Sequence, residues 1–363
     1  MPGNSFVRQL FHVRRQHSFV PRYEFPKYNI PLSDFKGHQV KALKKFNSLR
    51  PQLNMVLELR DVRAPLSTRN IIFDKMFSSG NGSAQVKRLI VYTKRDFMSE
   101  NTLVLDRLRE WHAELGESFI IINAKRKREV KNLIKILEWE GNQHMEASGP
   151  LPMGYRILVT GMPNVGKSTL VNSLRDMHLK GGKKVARTGD EAGVTRSTSE
   201  IIRISGENSA QKMYLIDTPG IGLPGSVSSH TRMLAQALCG CVKETLIDPV
   251  AQADYLLFLM NLQKPVNGVE WYPGSSSEPT NDVYEVLERI CKGQNLSDTT
   301  ASIKWINQWR REGKNLAFDI ELLLSRDEFS YKQFVHDDLI KLGKMEFKSK
   351  DGNAFKYTKQ LFS

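Results

Sequence analysis

The octapeptide Gly161-Met162-Pro163-Asn164-Val165-Gly166-Lys167-Ser168 has the residue types and spacing, G-x-x-x-x-G-K-[ST], of a loop that holds a polyphosphate. Glycines let backbone amides converge on phosphate oxygens. The Lys167 ammonium supplies charge to the β- and γ-phosphates, and the Ser168 hydroxyl can ligate Mg²⁺. An apolar run, residues 156–160, enters the loop and a helix-like segment leaves it at Lys167, so an anion would also meet the positive end of a helix dipole. A glycine turn before a core helix can match by chance, but the flanking strand and helix argue against that reading. Asn164, Val165, Gly166, Lys167, Ser168 and Thr169 are therefore the expected phosphate contacts. Asp217-Thr218-Pro219-Gly220 ends a later apolar run; its aspartate can hold Mg²⁺ through water and the Gly220 amide can sense a γ-phosphate. Thr195, in a polar Gly193-Val194-Thr195 loop, offers a hydroxyl to the same Mg²⁺ and γ-phosphate. Lys167, Thr195 and Gly220 are thus the candidates for acting on the γ-phosphate.

Two further elements carry base chemistry. Thr93-Lys94-Arg95-Asp96 follows an apolar run and resembles the guanine-specifying Asn-Lys-x-Asp signature, with Thr93 in place of asparagine. The Asp96 carboxylate would accept from guanine N1–H and N2–H₂, and adenine would leave it unpaired. Asn123-Ala124-Lys125, after the next apolar run, resembles the Ser-Ala-Lys element whose backbone amide reads guanine O6. Either alone could be an ordinary strand-end loop; together, each at the end of a strand, they point to guanine. Their order is inverted, since base-reading elements at 93–96 and 123–125 precede the phosphate loop at 161. Ligand loops gather at the carboxyl edge of a parallel sheet, so joining the chain elsewhere leaves such a site intact.

The elements that must position these residues are legible as six apolar runs, 53–59, 89–92, 119–122, 156–160, 200–204 and 213–216. Between them, Val104, Leu108, Trp111 and Leu115, and Val130, Leu133, Ile134 and Leu137, recur at helical spacing as core stripes. Strands alternating with helices imply an α/β domain with a mostly parallel six-stranded sheet. Helices are expected over 33–49, ended by Pro51, and over 229–246, 249–262, 280–292, 298–311 and 316–325, with no further strands. The organisation this predicts is a leader over 1–25, a basic helical segment over 26–50, a nucleotide-binding domain over 51–225 and a helical C-terminal domain over 226–363.

Composition bounds the setting. The 363 residues carry 53 Lys and Arg against 39 Asp and Glu, a net charge of +14, which favours polyanionic partners such as nucleic acid or anionic lipid. The charge is clustered: residues 125–131 hold five bases against one acid, and Lys341 to Lys359 holds six lysines against two acids. Three cysteines, Cys239, Cys241 and Cys291, cannot build a disulfide framework or a zinc site. No apolar run reaches the roughly 18 residues of a membrane span. Residues 1–23 contain Arg8, Arg14, Arg15 and Arg22 with no acid, the composition of a mitochondrial transit peptide; a basic RNA-touching tail has the same composition.

Taken together these motifs resemble the circularly permuted GTPases of the YlqF/RbgA family, in the mitochondrial ribosome-assembly branch, from about Pro31 through the nucleotide domain and less distinctly into the helical part. The resemblance implies binding of GTP and GDP, Mg²⁺-dependent hydrolysis and action on the mitochondrial large ribosomal subunit and its rRNA. The expected location is the matrix or, by peripheral association, the matrix face of the inner membrane, and a monomer is expected because nothing in the sequence suggests a dimer seam. Ser168, Thr195 and Asp217 are its expected Mg²⁺ ligands. Asn164 stands where potassium-dependent GTPases offer an ion ligand, so K⁺ is a second expected cation. Ile221 follows Gly220 where many GTPases place a water-orienting glutamine, which implies slow unaided turnover. His38, in Phe35-Lys36-Gly37-His38-Gln39-Val40-Lys41-Ala42, resembles the histidine of the family motif Phe-Pro-Gly-His-Met-x-Lys-Ala, assigned to water positioning; Lys36 and Gln39 depart from it. The alternatives are a P-loop ATPase or nucleotide kinase, and an RNA-binding scaffold that holds GTP as a structural ligand.

Overall fold

In the computed structural model, the residues described are 19–33, 35, 37–78, 86–178, 201–205, 212–264, 271–273, 278–292, 294–325, 327–344, 347–348 and 354–355. Six strands form one sheet: β1 (Met55–Asp61), β2 (Lys87–Thr93), β3 (Phe119–Ile121), β4 (Tyr155–Gly161), β5 (Ile201–Arg203) and β6 (Met213–Asp217). Their order is β3-β2-β1-β4-β6-β5, parallel throughout except that β5 runs antiparallel to β6. If β4 is numbered first and the chain is rejoined from β6 to β1, the sheet reads 2-3-1-4-5-6. That is a doubly wound sheet whose switch point lies between β4 and β1, where ligands bind. The inverted motif order is thus a permutation of chain order over an ordinary spatial arrangement.

Both faces of the sheet are covered, which explains why β1 is buried along its whole length. Helices α2 (Ile71–Ser78), α3 (Thr102–Leu115), α4 (Lys127–Ser148) and α5 (Lys167–His178) connect or flank the strands. The stripes read from the sequence pack inward: Val104, Leu108 and Trp111 of α3, and Val130, Leu133, Ile134 and Leu137 of α4, are buried. Beyond β6 the chain forms α6 (His230–Leu238), α7 (Pro249–Gln263), α8 (Val283–Cys291), α9 (Asp298–Glu312) and α10 (Tyr331–Gly343).

Three expectations about this helical part are corrected. The helix expected over 229–246 ends at Leu238, where Gly240 takes a left-handed conformation. The helix expected over 316–325 is an extended buried segment with a single 3₁₀ turn at Ile320–Leu322. Helix α10 was not expected, nor was a small antiparallel pair of strands, Phe347–Lys348 with Ala354–Phe355.

The helical part is held on the sheet by buried charge. Arg232 of α6 pairs with Asp338 of α10 at 2.7 Å and donates to the carbonyls of Val227, Leu66 and Arg69. Asp319 accepts the amides of Leu66 and Ser67, and Tyr331 of α10 donates to Glu117 within a cluster of Arg69, Asp74, Arg88 and His112. Arg232→Ala should leave Asp338 buried and unpaired and lower the unfolding free energy by about 3–5 kcal/mol, measurable by chemical denaturation.

At the N-terminal side, residues 19–33 lie along α7. Arg22 makes a two-pronged pair with Asp254 at 2.5 and 3.2 Å, Tyr28 donates to the same carboxylate, and Phe25 packs on Tyr255 and Phe258. The expected leader, 1–25, therefore overlaps the folded body at residues 19–25, while 1–18 lie outside the described residues. Helix α1 (Gly37–Leu49) follows, with Lys41, Lys44 and Lys45 exposed and Leu43 and Phe46 in the core.

Candidate guanine nucleotide site

The carboxyl ends of β2, β3 and β4 face one cavity of about 650 Å³. Thr93, Lys94, Asp96, Asn123, Ala124, Lys125, Asn164, Gly166 and Thr169 all line it, so the elements read as base-reading and as phosphate-binding share a pocket despite their separation in the chain. That volume lies within the range of small-molecule sites.

The phosphate loop has its form because of two close approaches. Gly161 has φ 144°, and a Cβ there would lie 2.4 Å from the Leu59 carbonyl of β1. A Cβ on Gly220 would lie 2.6 Å from the Pro163 nitrogen, so Asp217–Gly220 packs directly against the loop. Ile221 N–H then donates to the Gly161 carbonyl. Lys167 is buried, and its ammonium donates to the Met162 carbonyl at 2.6 Å. Burial pushes its pKa down to about 8, against the opposing pull of Asp217. A buried cation of this kind gains from an arriving anion. Asn164 adopts φ 57°, and its amide lies 3.5 Å from the Cys239 carbonyl.

At the base end, Lys94 is left-handed, φ 60°, and its ammonium pairs with Asp61 at the end of β1 at 2.8 Å. Burial would raise the Asp61 carboxyl, but Arg63 and Lys94 together hold it well below the usual carboxylate range. Asp96 follows in a 3₁₀ turn, Arg95–Phe97. Thr93, the departure from asparagine, donates its hydroxyl to the Val165 carbonyl at 2.6 Å, bridging the base-reading loop to the phosphate loop. Asn123 shapes its own turn, accepting the Lys125 amide at 2.9 Å, and the Ser173 hydroxyl of α5 holds the Ala124 carbonyl at 2.7 Å.

Oxygen donors suit Mg²⁺, and both Ser168 and Asp217 flank the phosphate loop, with Val159 of β4 in register with Asp217. Among the described residues no group of three or more His, Cys, Asp or Glu could hold a metal; with Ser168 and Asp217, Mg²⁺ would also need oxygens from phosphate, water and the expected third ligand, Thr195. Thr195 lies outside the described residues. The side chain of His38 does too, although its backbone is the second residue of α1.

Sequence reasoning missed the contacts that grip the segment after Gly220. Gln39 of α1 accepts the Gly222 amide at 2.6 Å, Asn70 donates to the carbonyls of Ile221 and Gly222, and Ser33 donates to that of Leu223. Gln39, in sequence only a departure from the family motif, is buried for this purpose. Ile221 is fully buried, in keeping with a residue that cannot orient water. The helical part also enters the site, since Cys239, Glu244, Asn307, Arg310 and Arg311 line the same cavity.

Comparison with known proteins places the chain among GTPases. Residues 156–297 match the family described as 50S ribosome-binding GTPase. The chain is 55% identical over 339 residues to Mitochondrial GTPase 1 of Saccharomyces cerevisiae, covering 91% of this chain and 92% of that one. It is 34% identical over 247 residues to Mitochondrial ribosome-associated GTPase 1 of Mus musculus, covering 67% and 71%. It is 32% identical over 266 residues to Ribosome biogenesis GTPase A of Bacillus cereus, covering 72% and 81%. The chain therefore belongs to the mitochondrial GTPase 1 family, related to bacterial YlqF/RbgA, and is a mitochondrial GTP-hydrolysing enzyme built on a permuted P-loop fold.

Proposed function

We propose that this GTPase is an assembly factor for the large subunit of the mitochondrial ribosome, and that the particle stimulates its hydrolysis. The observation that carries the reading is the grip on residues 221–223. A segment whose Gly220 abuts the phosphate loop is tied by Gln39 and Ser33 to the N-terminal elements and leads on into α6. A change at the γ-phosphate can thus reach both α1 with the segment before it and the helical part. The names of the relatives, ribosome-associated and ribosome biogenesis, support a ribosomal partner. The exposed bases Lys41, Lys44 and Lys45 of α1, and Lys125, Arg126, Lys127, Arg128 and Lys131 at the start of α4, would meet rRNA phosphates, so binding should weaken as salt rises.

In the catalytic cycle Lys167 holds the β- and γ-phosphates, the Gly220 amide registers the γ-phosphate, and Thr195 closes over it. Ser168, Asp217 and Thr195 would hold Mg²⁺, which when bound neutralises charge between the two phosphates. A K⁺ ion would rest on Asn164, and exchange of K⁺ for Na⁺ in a turnover assay tests it. Because Ile221 is withdrawn into the core, water alignment passes to His38, one residue from the Gln39–Gly222 contact. Residues 51–225 are the nucleotide unit in this reading and 226–363 the helical unit, which also walls the cavity. The enzyme works as a monomer in the matrix. Any attachment to the inner membrane is peripheral, and among the described residues no helix is long and apolar enough to cross a membrane.

Single-turnover GTP hydrolysis with purified mitochondrial large subunits tests the reading. The subunits should accelerate the wild-type enzyme, and His38→Ala should remove about a hundredfold of the stimulated rate while leaving GDP affinity unchanged. Tight particle binding in both nucleotide states without acceleration would contradict the role in assembly. An unaltered stimulated rate in the variant would remove His38 from catalysis.

A further inference from the structure

The sheet loops do not close the nucleotide cavity alone: Glu244, Asn307, Arg310 and Arg311 of the helical part share its lining with Asp96, Lys125 and Asn164. Arg310 is committed to holding this wall together. It pairs with Glu244 at 2.5 Å and donates to the carbonyls of Ala237 and Leu238 at 2.7 and 3.3 Å, at the carboxyl end of α6. Arg311, next on α9, is exposed and forms no ion pair among the described residues.

The wall is fixed in place over the site. Just beyond α9, Asn315 N–H donates to the Phe97 carbonyl at 2.6 Å, its side chain bonds Glu100, and Asn101 donates to its carbonyl. Phe318 N–H donates to the Arg63 carbonyl at 2.7 Å. The base-reading turn and α9 are therefore one hydrogen-bonded unit. The phosphate end is joined to the same wall, because the Cys239 carbonyl that receives Asn164 follows the Ala237–Leu238 carbonyls gripped by Arg310.

We propose that Arg311 is a nucleotide-binding residue, donating from the helical side to the phosphates that GDP and GTP share. A guanidinium with no carboxylate partner among the described residues, lining a cavity read as a polyanion site, gains a charge-assisted pair when that anion arrives. The inference rests on the guanine nucleotide site described above. It adds that the helical part contributes directly to nucleotide affinity, so displacement of α9 by a docking partner would loosen GDP.

Affinity and dissociation of a fluorescent GDP analogue, measured on the full chain, test this. Arg311→Ala should weaken GDP and GTP alike by about tenfold, mostly through faster dissociation, and leave competition by guanosine, which has no phosphate, unchanged. Arg311→Lys should recover part of the loss. Lys304→Ala, on the same helix but bonded to Gln294 away from the cavity, should bind as wild type. Wild-type GDP affinity in Arg311→Ala overturns the proposal. If Asp96→Asn still loses guanine preference in that case, the site stands and only Arg311 is removed; if Asp96→Asn is also silent, the site itself fails and Arg311 with it. An equal loss for guanosine, or for Lys304→Ala, also overturns it.

Discussion

Lys167→Ala should abolish productive GTP and GDP binding. The side chain is buried, donates inward to the Met162 carbonyl, and is the cation that the G-x-x-x-x-G-K-[ST] spacing assigns to the β- and γ-phosphates. Losing charge-assisted bonds to two phosphates removes about 3–6 kcal/mol of GTP affinity, a hundredfold to ten-thousandfold, and the bond to the β-phosphate alone about half of that for GDP. The fold should persist, since the lost partner is one carbonyl of the loop. Titration calorimetry of GDP against the variant checks the loss, and normal affinity would dismiss the phosphate loop as the site. The same residue sets a pH dependence. Without nucleotide its pKa lies near 8, and the arriving phosphates raise it, so above pH 8 binding must take up a proton. Affinity should hold steady up to pH 8 and then fall, by about tenfold at pH 9.

Asp96→Asn should exchange the preferred base. Asp96 is carried on a turn whose preceding residue, Lys94, is locked to the buried Asp61, so the carboxylate is presented by a rigid support. An amide in its place offers N–H where guanine also offers N–H, and xanthine, with a carbonyl at that position, becomes the better partner. Sites built on buried hydrogen bonds discriminate strongly, so guanine affinity should drop by at least about a hundredfold and xanthosine diphosphate should compete where GDP no longer does. Competition assays with GDP, xanthosine diphosphate and ADP decide it. Unchanged guanine preference would remove Asp96 from base reading.

The sheet and the motifs on its edge are legible in the sequence because a strand buried on both faces must be apolar along its length, and a ligand loop at its carboxyl end must turn abruptly polar. All six runs are strands, and five of the six are parallel neighbours. The helical part is harder to read for identifiable reasons. In α10 one of the inward positions is Asp338, whose burial depends on Arg232, so its stripe of Tyr331, Val335 and Leu342 is interrupted by charge. Residues 316–318 are apolar enough to suggest a helix, but Phe318 and Asp319 are held extended by the chain around Arg63 and Ser67. Within the site, Thr93 looks like a weakened asparagine until its bond to Val165 shows it serving the phosphate loop. Gln39 and Asn70 carry no local signal at all, because their partners at 221–222 lie far along the chain. The contribution of Arg311 depends likewise on where α9 comes to rest.

The most direct test of one guanine nucleotide pocket assembled from a permuted chain is a crystal structure of the protein with Mg²⁺ and GDP. Guanine should lie against Asp96 and the Ala124–Lys125 turn, with the β-phosphate on the amides of Gly166 to Ser168. GDP bound with its base away from Asp96, or with its phosphates outside the loop from Gly161 to Ser168, would contradict it.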